Sequence, residues 1–156
     1  MSQNSRERWS IPTWFLFHGM AEKIDEQFFK ENRIKVLNFY RHICGNLPCP
    51  VCATHSVNYV RRNNIMKINN KKELIDYFFT MHNWVNKRLK KSEFDKKEMN
   101  MYERINIVHC IKYWDSRFFD KYYVHRNFNS WRRNSLQSVT RAFFVENYEN
   151  MFKIKV

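Results

Sequence analysis

The run Lys72-Glu-Leu-Ile-Asp-Tyr-Phe-Phe-Thr-Met-His-Asn-Trp-Val-Asn-Lys-Arg-Leu-Lys-Lys91 decides the fold class. Leu74, Phe78, His82, Val85 and Leu89 recur every three or four residues, the spacing that lines one face of an α-helix. Such a stripe needs other apolar surface to cover it. Only 2 glycines and 3 prolines occur in 156 residues. That leaves little material for hairpin turns and favours helices joined by polar loops. The expectation is an all-α protein.

Working outward, Ser10 caps a first helix with Pro12 in its first turn. Trp14, Phe17, Ala21, Ile24 and Phe28 carry this helix to about residue 30. A second helix places Ile34, Leu37 and Ile43 among its apolar positions and ends at Gly45, before the break Asn46-Leu47-Pro48. Cys49 opens a third helix, and Asn63-Asn64 and Asn69-Asn70 bracket the connection to the fourth. Beyond Ser92, a fifth helix is expected from Lys96 into the region 114–123, with Ile105, Val108, Ile111 and Phe118 as its apolar set. A polar break at Arg126–Ser130 precedes a last helix near Leu136–Phe152. The expected organisation is a polar tail over 1–8, a core domain over 9–115 and a helical extension over 116–156.

Hydrophobic residues make up 44% of the chain and aromatic ones 17%, which excludes a disordered polymer. The formal charge of +13 gives a general field that attracts nucleic acid, anionic lipid or anionic cofactors without defining a site. No apolar run is long enough to cross a bilayer, and the polar start Met1–Arg8 lacks the core of a signal peptide. The expected setting is a reducing compartment, where a close cysteine pair is catalytic or metal-binding more often than a staple.

That pair is Cys49-Pro-Val-Cys52. At a helix start, both sulfurs share the first turn, and free backbone N–H groups with the helix dipole favour a thiolate. Two other readings fit the motif alone. Zinc needs further ligands, for which His55, His42 and Cys44 are the candidates; a thioredoxin-like unit needs a preceding strand, whereas helix and turn are expected there. On the fourth helix, His82 and Asn86 are four apart and Asn83 and Asn86 three apart, so they neighbour one another. Polar hydrogen-bonding groups set into an apolar stripe suit the seat of a flat cofactor.

Taken together, Cys-Pro-x-Cys and, some thirty residues on, His82-Asn-x-Val-Asn-x-x-Leu-x-Lys91 resemble the FAD-linked sulfhydryl oxidase family of the Erv/ALR type. Trp14-x-x-x-His18 is similar to that family's first-helix motif, and Asn46–His55 most resembles the short members of poxviruses and asfarviruses. The resemblance covers about residues 9 to 115. It implies a four-helix bundle with a short fifth helix holding FAD, usually as a homodimer. His82, Asn83, Val85 and Asn86 would contact the cofactor's rings or ribose, with Trp14 and His18 near the adenine. Lys87, Lys90 and Lys91 would meet the pyrophosphate. Cys52 and His55 would border the flavin, and Tyr102 or Trp114 would supply a later aromatic.

The implied reaction passes electrons from a reduced dithiol protein, thioredoxin-like or part of a viral redox relay, through Cys49–Cys52 to FAD. Oxygen then takes them, giving H2O2; no metal takes part. Cys49, at the helix tip, is expected to be the more accessible sulfur. Viral relatives imply the host cytoplasm, its viral factories or the virion. Two features depart from the family. Cys44 and Cys110 stand alone, so no second shuttle pair exists, and both are expected as buried small hydrophobes. The extension carries Trp131-Arg132-Arg133, Arg141, Phe143-Phe144, Lys153 and Lys155. Enlarging the core or the dimer interface is its expected role; no nucleic-acid motif supports the other. The alternative to an oxidase is a basic, zinc-stabilised helical binding module without redox chemistry.

Overall fold

The computed structural model describes residues 2–120 and 130–154. Among them every regular element is helical: α1 (Gln3–Lys23), α2 (Glu26–Cys44), α3 (Pro50–Arg62), α4 (Lys71–Arg88), α5 (Asn100–Glu103), α6 (Ile107–Phe118) and α7 (Ser130–Phe152). Short 3₁₀ turns at Ile65–Lys67 and Lys96–Met99 lead into α4 and α5. The all-α expectation holds.

The first boundary moves. α1 is capped by Ser2, whose side chain accepts from Ser5 N, so Pro12 lies inside the helix rather than in its first turn. Proline removes a backbone donor, and there the Thr13 hydroxyl donates to the carbonyl of Trp9 at 2.7 Å. α1 then stops at Lys23 instead of running to residue 30. Asp25 supplies the reason: its carboxylate accepts from Phe28 N at 2.8 Å and starts α2, to which Phe28 belongs. Ile34, expected on the apolar face of α2, is half exposed.

Four helices share one core. Phe17 of α1, Tyr40 of α2 and Phe78 of α4 meet with ring centroids 4.4–5.2 Å apart. Tyr59 of α3 packs on Tyr77 and Trp84 of α4. The expected fifth helix divides into α5 and α6 with a bend between them. Asn106 caps α6, its side chain accepting from His109 N at 3.2 Å. α6 lies along α1, where a methyl on Gly19 would come within 2.5 Å of Ile105 Cδ1. The buried face of α6 is Ile107, Cys110, Trp114 and Phe118; of the expected set Phe118 is fully buried, Ile105 and Ile111 pack against the core, and Val108 is half-buried. α6 runs through position 115 without a break.

α7 closes the other side of α2. Phe39 stacks on Phe143 at 4.1 Å and meets Phe144 edge-on at 5.1 Å. Lys35 donates to Asn147 at 2.8 Å, and Asp25 N donates to Met151 O at 2.8 Å. Three cations of the extension have partners within the chain. Arg141 makes a bidentate pair with Asp115, and Lys153 pairs with Asp25. Arg133 is buried and donates to the carbonyls of Phe118 and Asn46. The expected break at 126–130 lies mostly outside the described residues, as does Lys155. No helix among the described residues is long and apolar enough to cross a membrane.

Candidate functional site

Leu47-Pro48 turns the chain between α2 and α3, and Cys49 becomes the N-cap of α3 with Pro50 in its first turn. Cys49 and Cys52 form a disulfide with Cα atoms 5.1 Å apart. Cys49 Sγ also accepts from Cys52 N at 3.2 Å, so the sulfur sits over the positive end of the helix. Among the described residues no group of three or more His, Cys, Asp or Glu is arranged around a metal position. With no strand before the pair, the thioredoxin-like alternative falls.

The accessibility expectation is reversed. Cys49, the N-cap of α3, is 8% exposed and belongs to the core cluster. Cys52 is half-buried and opens on a cleft between α1, α3 and α4. The cleft encloses about 190 Å³ and continues into an open mouth.

Its walls follow from helical spacing. α1 contributes Trp9, Thr13 and Phe17 along one face, with Trp14 beside them; α3 contributes Cys52 and His55; α4 contributes His82, Val85 and Asn86. The α4 stripe explains the opening. Leu74 and Phe78 are fully buried, whereas His82 and Val85 are half-buried where the stripe passes into the cleft. Trp14 and His82 stack at 4.1 Å with an interplanar angle of 11°. Behind them His18 Nε2 and His82 Nδ1 share a hydrogen bond of 3.0 Å. Burial pushes the pKa of His18 down to about 3, with help from His82. Burial, aided by Lys91, pushes His82 down to about 4. Both rings are therefore neutral at ordinary pH.

Cations rim the cleft. Arg88 lies over the Trp84 ring at 5.2 Å and donates to His55, with Nη2 2.8 Å from Nε2. Lys91 pairs with Glu7 at 2.6 Å, and Arg6 lines the wall from the first turns of α1. Two side-chain N–H groups of the lining are buried without a partner, Arg6 Nε and Trp9 Nε1. Buried donors are normally satisfied, so this wall offers hydrogen bonds to something that enters.

The structure brings Trp14, Cys52, His55, His82, Val85, Asn86 and Lys91 to one cleft. It does not bring all the expected residues there. Asn83 is occupied elsewhere: its amide accepts from Phe94 N at 2.7 Å and donates to Phe94 O at 3.1 Å, fixing the loop after α4. Tyr102 is buried behind His18, with centroids 4.7 Å apart, and His18 itself is fully buried. Lys87 and Lys90 are exposed outside the lining, and Trp114 is packed on Phe118 in the core. Arg6, Trp9, Trp84 and Arg88 were missed. The 3–4 spacing Arg6, Trp9, Thr13, Phe17 carried the signal for the first two, obscured by starting α1 at Ser10.

Residues 11–105 match the family described as the Erv1 / Alr family. The chain belongs to that family. The resemblance read from the separated motifs therefore holds. A protein of Invertebrate iridescent virus 3, whose name assigns it provisionally to the FAD-linked sulfhydryl oxidases, is 29% identical over 57% of this chain and 61% of its own length. An FAD-linked sulfhydryl oxidase of African swine fever virus is 27% identical over 70% of this chain and 92% of its own. The mitochondrial FAD-linked sulfhydryl oxidase of Saccharomyces cerevisiae is 33% identical over 53% of this chain and 43% of its own. This chain thus spans under two thirds of the iridovirus relative, under half of the yeast one and nearly all of the swine fever one. No solved structure matches the chain significantly.

Proposed function

We propose that this chain is an FAD-linked sulfhydryl oxidase, which makes disulfides in a dithiol partner at Cys49–Cys52 and delivers the electrons to O2 as H2O2. One observation carries the reading: a disulfide at a helix N-terminus whose second sulfur opens on an aromatic cleft with a cationic rim. The cleft fits the cofactor. Flat apolar walls suit a planar ring system, the cations Arg6, Arg88 and Lys91 suit a diphosphate, and the unpartnered Arg6 and Trp9 donors await acceptors. FAD, when bound, supplies the two-electron chemistry that reoxidises the pair.

The chain's own part is thiol–disulfide exchange. A partner thiolate attacks one sulfur of the pair, the Cys49–Cys52 bond breaks, and a mixed disulfide forms. The partner's second thiol then displaces it. The partner leaves with a disulfide, and Cys49 and Cys52 hold two electrons and two protons. The Cys52 N–H and the α3 dipole favour the thiolate of Cys49 on release. Cys52 faces the cleft and is the sulfur that communicates with the cofactor. A homodimer and a cytoplasmic or virion setting belong to the same reading, supported by the family and by its viral relatives.

The test is an absorption spectrum of protein purified without added cofactor. A flavin band near unit stoichiometry should be bleached by dithiothreitol under nitrogen and restored by air. Cys52→Ser should keep the band and lose the bleaching. Protein that is colourless and takes up no FAD would sink the reading.

A further inference from the structure

α3 presents its two cysteines to different sides. Cys52 lies with His55 and Ser56 on the face that lines the cofactor cleft. Cys49 begins a different row: Cys49, Ala53, Val57 and Arg61 follow at steps of four and share the adjacent face. That second face opens on a groove between α2 and α3 of about 730 Å³. Its floor is apolar, made by Cys44, Val57, Val60, Ile65 and Met66, and its rim carries Arg41, His42 and Arg61 with no acidic residue. Arg41 donates to the Asn38 side chain at 3.2 Å. Along α3 the groove lies about two turns beyond Cys49, where Val57 and Arg61 line it.

Resting on the oxidase reading, we infer that this groove docks the dithiol partner through an acidic, apolar-spaced segment flanking its cysteines. Charge complementarity selects the acidic residues, and the floor selects a peptide rather than a nucleic acid. No Phe, Tyr or Trp lines it to stack a base. Cys44 takes no part in exchange, because burial pushes its thiol up to about 12. From Cys49 to Val57 the helix rises by about 12 Å. An extended peptide covers that distance in roughly four residues, which sets the spacing between the partner's dithiol and its acidic flank. With its flank held in the groove, the partner brings its dithiol to the pair, whose S–S bond opens as the partner's closes, and the two electrons leave on the cleft side.

The experiment uses the full chain loaded with FAD. Two Cys-x-x-Cys peptides are compared, with Glu or with Lys placed four to six residues from the cysteines, and dithiothreitol serves as a small dithiol. The acidic peptide should show a kcat/KM roughly tenfold above the basic one, declining with salt, and R41E/R61E should abolish or invert that ratio. Anisotropy of a labelled Ser-x-x-Ser version of the acidic peptide should show binding that the double variant loses. Equal rates for the two peptides, with dithiothreitol still oxidised, would overturn the docking site alone. So would an unchanged ratio in R41E/R61E, or a charge-matched oligonucleotide displacing the labelled peptide equally well. Failure to oxidise dithiothreitol would instead strike the oxidase reading, while the anisotropy result would still decide whether the groove binds an acidic peptide.

Discussion

The cleft between α1, α3 and α4 and the seam between α2 and α7 are both rich in aromatic residues, and they are finished differently. In the seam Phe39 is closed by Phe143 and Phe144, and Lys35, Asp25 and Asn147 all find partners. In the cleft a stacked Trp14–His82 pair stands beside open volume, and two lining donors are buried without acceptors. Aromatic content alone does not mark a site. Incomplete packing next to a reactive group does, because a wall optimised only for stability would have closed.

Substitutions can break that comparison. The largest effect on stability is expected from Phe39→Ala, which removes two ring contacts from a closed seam. It should cost about 3–5 kcal/mol in urea denaturation and leave the FAD content of the folded fraction unchanged. Loss of FAD in proportion to stability would mean that seam and cleft are one unit.

Acid should act on the cleft side. His18 and His82 titrate at about 3 and about 4 in the folded protein, whereas an unfolded chain binds those protons near pH 6.5. The unfolded state therefore holds more protons in between. Stability should fall as pH drops from about 6.5 to about 4. Urea midpoints across this range should show the decline, and His82→Gln should flatten it; an equally steep curve in that variant would place the acid sensitivity elsewhere.

Smaller still, Arg6→Ala removes a buried donor that has no partner. Folding stability should hardly change, while FAD affinity should weaken by about tenfold, read by fluorescence titration. A stability loss as large as that of Phe39→Ala would show Arg6 to be a packing residue. The least effect belongs to Arg141→Ala. Its side chain is 62% exposed, so the pair with Asp115 should be worth under about 1 kcal/mol in thermal unfolding.

Much of this was legible in the chain. The α4 stripe, the CxxC at a helix start and the asparagine pairs around the connection at 65–67 each express a local rule, and each lies where that rule puts it. Boundaries failed where two local signals competed. Ser10 with Pro12 looked like a helix start, yet Ser2 caps α1, and Asp25 breaks an apolar pattern that continues through Phe28. On α6 the expected Phe118 is buried and Ile105 and Ile111 flank the core, while Ile107, Cys110 and Trp114 make the centre of the face.

The helical class, the close cysteine pair and the family could be read from the chain alone, since helical period and a two-residue cysteine spacing are properties of contiguous residues. Only the tertiary structure decided which polar groups meet. Asn83 was a plausible ligand in sequence and became a clamp on Phe94 because the loop after α4 folds back on it. Arg133, read among the basic residues of the extension, became a buried brace on the carbonyls of Phe118 and Asn46. Cys49, expected at the surface, turned inward while Cys52 opened on the cleft. Each outcome depends on a partner distant in sequence or on the direction of one side chain against its neighbours, and a buried polar group is held by whichever partner the packing delivers.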